Sequence, residues 1–301
     1  MRTHAWKLKS RTLEWNARPL VMGILNVTPD SFSDAGQYLD PDAALDRALE
    51  LEAEGADLLD LGGESTRPNA VALTAEEEQA RVLPVLRAIL TARPETVISI
   101  DTYHAETARM AVSAGAEIVN DVSGHLWDPA MAAACAELRC GAVLMHTRGL
   151  PQKWRTLPSL EPGEVTPLVI DGLRERTDAA IHAGVARESI VVDPGFGFGK
   201  ILDENYSLLA GLEELHALGF PVMAGVSRKS FLSHTLKHAG AGPVVTASPV
   251  VADLAAELWL PTAVANTAAI LAGAHILRVH DVLPARHTAA IADRILEAAR
   301  T

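Results

Sequence analysis

Eight short apolar runs, each followed by a longer stretch of mixed apolar and charged residues, divide almost the whole of this 301-residue chain. They span 20–25, 57–61, 96–100, 117–120, 141–145, 190–193, 221–226 and 275–279. Runs of this length are too short for ordinary helices, and their β-branched content favours strands. The stretches between them carry helix signals. Asp40–Pro41 pairs an N-cap residue with proline at the first helical position, and Gly55 closes that segment. Thr74 and Glu77 have capping-box spacing ahead of an apolar face of Val82, Val85, Leu86 and Ile89, inside which Pro84 implies a kink or a late start. Asp128–Pro129 repeats the first device before 130–138, and 164–183, 203–217, 262–273 and 286–299 also read as helical.

Strand–helix alternation repeated eight times predicts an α/β fold, a (β/α)8 TIM barrel, as one domain over 1–301. An open doubly wound sheet would want a glycine fingerprint after its first strand, where Asn26-Val27-Thr28-Pro29-Asp30 stands instead. Residues 1–18 read as an N-terminal extension. Residues 238–261, poor in charge and rich in small side chains, read as an irregular insertion between the seventh strand and the next helix.

Charge narrows the partners. A formal net charge of −12 argues against broad attraction to nucleic acid or an anionic membrane. No apolar run approaches the length of a membrane span, and the N-terminus lacks the apolar stretch of a signal peptide. Cys135 and Cys140 make neither a disulfide framework nor a metal knuckle. A cytoplasmic protein acting on small molecules is expected.

In such a barrel, side chains just past the C-terminal strand ends converge on one mouth. Strand by strand these are Asn26; Asp60 with Glu64-Ser65-Thr66-Arg67; Asp101; Asn120 and Asp121; His146; Asp193; Ser227-Arg228-Lys229; and Arg278 with His280. A single Asp at such a junction is often only a helix cap, but capping does not call for Arg, Lys and Asn in these numbers. Ser227-Arg228-Lys229 and Arg278/His280 belong to the two strands whose loops commonly hold phosphate, and together they form a cationic cluster for an anion. Asp101, Asn120 and Asp193 suit a flat heterocycle presenting several N–H donors; a metal site built from the same residues is the rival reading. A divalent ion held mostly by substrate phosphates needs one or two protein oxygens, which Asn26 or Asp34 could supply. The run Asp193-Pro194-Gly195-Phe196-Gly197-Phe198-Gly199-Lys200 lacks the ending of a nucleotide-binding loop, so its glycines are read as close approach to a ligand, with Phe198 as an aromatic wall.

These residues carry a resemblance. Gly23-Ile24-Leu25-Asn26-Val27-Thr28-Pro29-Asp30-Ser31-Phe32-Ser33-Asp34 and Gly62-Gly63-Glu64-Ser65-Thr66-Arg67-Pro68 resemble the first two loop motifs of the bacterial dihydropteroate synthase family. Ser99–Thr102, Ile118–Asp121, Met145-His146, Asp193–Gly195 with Gly197-Phe198, Ser227–Lys229 and Arg278–Asp281 follow in that family's order, so the likeness covers roughly 20–285. The resemblance implies a transferase of folate biosynthesis that joins a dihydropterin-methyl diphosphate to p-aminobenzoate and releases pyrophosphate. It implies a pterin pocket of Asp101, Asn120, Asp193 and Lys229, pyrophosphate contacts from Arg278 and His280, and Mg2+ at Asn26, with Asp34 as a first-loop candidate. It further implies a p-aminobenzoate site around Thr66, Arg67, Pro68, Phe198 and Ser227, where sulfonamides compete, with Met145 among the substrate-binding residues. Homodimers are implied too.

The chain departs from the family at 238–261, which is longer and more apolar, and at Trp154, where a smaller apolar residue is usual. Two alternatives stand beside the synthase: a barrel like those of pterin-dependent methyltransferases, and a non-catalytic pterin-binding paralogue. Alanine at Lys229 or Arg278 is expected to abolish most turnover in a protein that stays folded.

Overall fold

A computed structural model describes residues 5–15, 18–28, 41–64, 72–238 and 258–299. The chain begins with an antiparallel hairpin, β1 (Ala5–Lys7) and β2 (Thr12–Glu14), in the segment read from sequence as a mere extension. The eight apolar runs then form β3 (Leu20–Asn26), β4 (Leu58–Gly62), β5 (Ile98–Asp101), β6 (Ile118–Asp121), β7 (Gly141–Met145), β8 (Ile190–Asp193), β9 (Met223–Ala224) and β10 (Ile276–Val279). All pair in parallel, in the order β8-β7-β6-β5-β4-β3-β10-β9. A bridge between Val192 and Val222, with Val192 N donating to Pro221 O at 2.9 Å, joins the two ends and closes the barrel.

Two-residue periodicity along the strands explains where the site lies. One inward layer is apolar: Met22, Leu58, Val97, Ile118, Val143, Val191, Met223 and Ile276 cluster with Trp6, Leu8 and Trp15 of the hairpin segment. The hairpin therefore plugs the barrel floor. Trp6 Nε1 donates to Ser189 O at 2.8 Å and Trp15 Nε1 to His275 O at 2.9 Å, satisfying both buried indoles. Two residues further along each strand the same face carries Ile24, Asp60, Ser99, Asn120, Met145, Asp193, Gly225 and Arg278. The interior turns polar there, just below the mouth.

The opposite strand faces pack on nine α-helices among the described residues: α1 (Pro41–Ala53), α2 (Ala75–Ala92), α3 (Ala105–Ser113), α4 (Met131–Leu138), α5 (Pro162–His182), α6 (Glu204–Ala210), α7 (Ser230–His238), α8 (Trp259–Leu271) and α9 (Val282–Ala298). Val21, Leu59, Ile100, Val119, Leu144 and Val192 meet helix residues such as Leu51, Leu86, Val112 and Leu173 in one cluster. None of these helices is long and apolar enough to cross a membrane.

The capping box at α2 is present in full, Glu77 N to Thr74 Oγ1 at 3.2 Å and Thr74 N to Glu77 Oε2 at 2.8 Å. Pro84 lies within α2, whose start at Ala75 is not delayed. Asp128 does more than the expectation. Its Oδ1 accepts from Ala130 N at 2.9 Å in the turn that leads into α4, as a cap residue would, and its Oδ2 accepts from Ala105 N at 2.8 Å, tying the start of α3 as well. Helix α8 begins at Trp259, so the end of the 238–261 segment is helical, with Pro261 in the first turn where proline is tolerated. Residues 239–257 and the Asp40 cap lie outside the described residues.

Candidate active site

The barrel mouth gathers residues from seven strands, β4 to β10, or the loops that follow them. Asn120, Val122, Met145, Asp193, Gly195, Phe196, Phe198, Gly225, Lys229 and Arg278 line one cleft. Arg278 spans it: Nε donates to Asp60 Oδ2 and Nη2 to Asp101 Oδ2, both at 2.6 Å. Asp60 Oδ2 also accepts from Asn120 Nδ2 at 2.9 Å. Asp101, Asn120, Asp193, Lys229 and Arg278 are thus brought together as the sequence predicted.

The loop after β8 shapes the other wall. Asp193 Oδ1 accepts from Gly195 N at 2.7 Å. Gly195 has φ +70, and a Cβ there would stand 2.0 Å from His146 O, so only glycine makes this turn. Buried Lys200, given no role from sequence, donates to His146 O, Gly195 O and Phe198 O at 3.1, 2.8 and 3.4 Å. Gly197 N donates to Asn205 Oδ1 at 2.7 Å. These bonds fix Phe198, whose ring lies 4.2 Å below the Lys229 ammonium, a cation–π arrangement. Trp154 packs edge-on against Phe198 with ring centres 5.2 Å apart. Its larger side chain braces the aromatic wall rather than entering the cleft.

Ser227 and His280 meet at the rim, Nδ1 to Oγ at 3.0 Å, linking the loops after β9 and β10. Their neighbour Arg228 corrects the expected anion cluster. Nε and Nη2 of Arg228 engage Asp281 at 3.0 and 2.5 Å, so a carboxylate of its own chain occupies this cation. His146 packs against Gly172 of α5, away from the cleft lining, and Asp121 accepts from Ser123 N and His125 N as a buried turn residue. Asp34, Thr66, Arg67 and Pro68 lie outside the described residues. Tyr103 OH, unremarked in the sequence, donates to Glu64 at 2.9 Å and anchors the start of the second loop.

Burial sets the charge states. It pushes the Asp101 carboxyl up to about 7 against the opposing pull of Arg278, and raises Asp193 despite the Gly195 N–H and nearby Lys229. It pulls Lys229 down to about 8, helped by Arg278 and resisted by Asp193 and Asp101. Burial also works against the Arg278 charge, but Asp60 and Asp101 outweigh it and its pKa lies above the ordinary value. The cleft therefore holds a permanent cation, a tunable cation and several acceptors side by side. Among the described residues no group of three or more His, Cys, Asp or Glu side chains could hold a metal ion. Asn26, at the end of β3, offers a single oxygen, which suits magnesium coordinated mainly by substrate oxygens and water.

A second cavity of about 350 Å3 lies at the opposite end, lined by Glu52, Asp57, Arg93, Glu95 and neighbours. Its carboxylates are largely engaged, Asp57 by Arg18 at 2.6 Å and Glu52 by Arg93 at 3.7 Å, and it contains none of the converged groups.

Comparison with known proteins agrees with the geometry. Residues 22–280 match the family described as pterin binding enzyme. The chain is 39% identical over 282 residues to dihydropteroate synthase of Synechocystis sp., covering 94% of this chain and 92% of that one. Dihydropteroate synthase from Xanthomonas albilineans in complex with 7,8-dihydropteroate superposes with a TM-score of 0.79 at 36% identity, covering 99% of both chains. The Yersinia pestis dihydropteroate synthase with a sulfonamide drug gives 0.84 at 35% identity, covering 98% of this chain and 99% of the other. With its polar mouth, its closed parallel barrel and these relatives along nearly its full length, the chain belongs to the pterin-binding enzymes, and among them to the dihydropteroate synthase family.

Proposed function

We propose that the chain condenses (7,8-dihydropterin-6-yl)methyl diphosphate with p-aminobenzoate to give 7,8-dihydropteroate and diphosphate. The carrying observation is the joining of an acceptor-lined floor to a cation in one cleft, through the bonds of Arg278 to Asp60 and Asp101. Asp101, Asn120 and Asp193 accept from the donor-rich pterin edge, and Lys229 stands over Phe198 beside them. Nη1 of Arg278 has no protein hydrogen bond among the described residues and is the guanidinium nitrogen available to a diphosphate oxygen. His280 at the rim adds a second contact. As the bond from the pterin methyl carbon to diphosphate oxygen breaks, the leaving oxygen takes the electron pair and these groups stabilise its charge. The amine nitrogen of p-aminobenzoate then forms the new C–N bond and one amine proton is released. Positioning and electrostatics carry the rate without a covalent enzyme intermediate. Mg2+, with Asn26 and diphosphate oxygens as ligands, would neutralise the leaving group.

A diphosphate-release assay with both substrates tests this reading. Turnover is expected only when both are present, with a sulfonamide raising the apparent KM for p-aminobenzoate and leaving kcat unchanged. Tight binding of methyltetrahydrofolate without such turnover would move the protein to the methyltransferase-like barrels, and pterin binding without turnover to the non-catalytic paralogues.

The cytoplasm is the proposed compartment, and a homodimer the proposed assembly. Trp259, Leu260 and Val264 of α8 and Ile291 and Ile295 of α9 are exposed large apolar side chains on two helices packed together. Such a patch supports burial against a second copy. Light scattering is expected to give twice the chain mass of 32.0 kDa, and a monomer across micromolar concentrations would refute it.

A further inference from the structure

Asp60 is fully buried inside the barrel and is not among the residues lining the cleft. Two cleft-lining residues nevertheless hang from its Oδ2, Asn120 through Nδ2 at 2.9 Å and Arg278 through Nε at 2.6 Å. Its Oδ1 and the hydroxyl of Ser99, its register neighbour on β5, have no partner among the described residues. Two consequences follow from hydrogen-bond chemistry. A carboxylate only accepts, so Asn120 must turn its NH2 inward to Asp60 and can offer the cleft only its Oδ1. Arg278, held through Nε by Asp60 and through Nη2 by Asp101, is locked in one plane, with both Nη1 hydrogens and the second Nη2 hydrogen as its remaining donors.

We propose that Asp60 is a positioning residue that sets the polarity of the pterin pocket, fixing Asn120 as an acceptor and Arg278 in the orientation that meets the departing diphosphate. The proposal rests on the synthase reading above. Asp60→Leu and Asp60→Asn together supply the clearest test. Leucine removes the shared acceptor, so nothing holds the Asn120 NH2 inward or Arg278 Nε in place. Asparagine keeps it: both bonds converge on Oδ2, so an amide oxygen in that place accepts both, while its NH2 takes the place of the unpartnered Oδ1.

The experiment measures steady-state constants and calorimetric binding of 7,8-dihydropteroate for wild type, D60L and D60N, with thermal melts as the fold check. D60L is expected to weaken 7,8-dihydropteroate binding and raise the KM for the pterin diphosphate by about tenfold or more, with the KM for p-aminobenzoate within about twofold. D60N is expected to bind within about threefold of wild type, a rescue by the shared acceptor that generic loss of packing would not give. If D60L fails to fold, D60A, which removes the same acceptor with less bulk, takes its place. Wild-type-like constants in the variant that lacks the acceptor, or a D60N that binds no better than it, overturn the proposal. Absence of wild-type turnover would instead strike the synthase reading, so the two failures are distinguishable.

Discussion

Lys229→Met is expected to lower kcat/KM for the pterin diphosphate by about a hundred- to thousand-fold while melting at or above the wild-type temperature. The two halves of that outcome have one cause. The Lys229 ammonium is held over Phe198, and burial pulls its pKa from the ordinary lysine value down to about 8. A lysine whose folded pKa is depressed costs the fold stability as pH falls from the ordinary lysine range to that value, and the full cost persists below it, because the charged form is the one burial disfavours. Methionine keeps the apolar stem against Phe198 and removes the charge, so the fold loses nothing at neutral pH. The site, however, loses the cation standing between Asp193 and the aromatic wall. The same reasoning gives a pH signature. Wild-type kcat/KM for the pterin substrate is expected to fall below about 7, as Asp101 takes up a proton and ceases to accept two N–H bonds, and to fall again above about 8, as Lys229 loses its charge. The alkaline limb should vanish in the methionine variant. A limb unchanged near 8 in that variant would show that another group is titrating.

The barrel was legible because its strands are buried on both faces and write themselves as apolar runs between helix-length segments. The acceptor set was legible for a related reason: a polar residue at the end of an apolar strand has little to do in the core. What escaped was pairing across sequence. Nothing local shows that Arg228 is spent on Asp281, fifty-three positions away, so two adjacent cations read as two free ones. Asp60 sits inside a strand rather than beyond its end, and its function depends on Asn120 and Arg278, which meet it only when the barrel closes. Helix α3 lacked a start signal because its cap, His104, makes no side-chain cap bond, the first amide being held by Asp128 from the next loop. The hairpin escaped because its strands are three residues long, too short for any periodicity; Trp6 and Trp15 find their purpose only against the barrel floor.

Arg278→Ala is expected to differ from Lys229→Met by losing stability as well as turnover. Arg278 lies between two carboxylates at 2.6 Å each, one of them fully buried. Removing it strands Asp60 and Asp101 side by side without a counterion, a change that costs about 3–5 kcal/mol when one member of a buried pair is deleted. The deficit carries a sign that can be checked. Asp101 already has a folded pKa raised to about 7, so its contribution to stability is present at low pH and is lost as pH rises through that value. Arg278 is the group that holds this rise in check, and without it the folded pKa of Asp101 climbs further. The gap between variant and wild type should therefore widen above pH 7, where wild-type Asp101 ionises against its arginine and the variant's cannot. It should narrow towards pH 5.5, where Asp101 is protonated in both. Denaturant melts at pH 5.5 and pH 8 measure it, and a gap independent of pH would mean that Arg278 stabilises the barrel by packing rather than by neutralising Asp101. Turnover should stay low at both pH values, since acid can relieve the stranded carboxylates but cannot replace the cation that meets the leaving diphosphate.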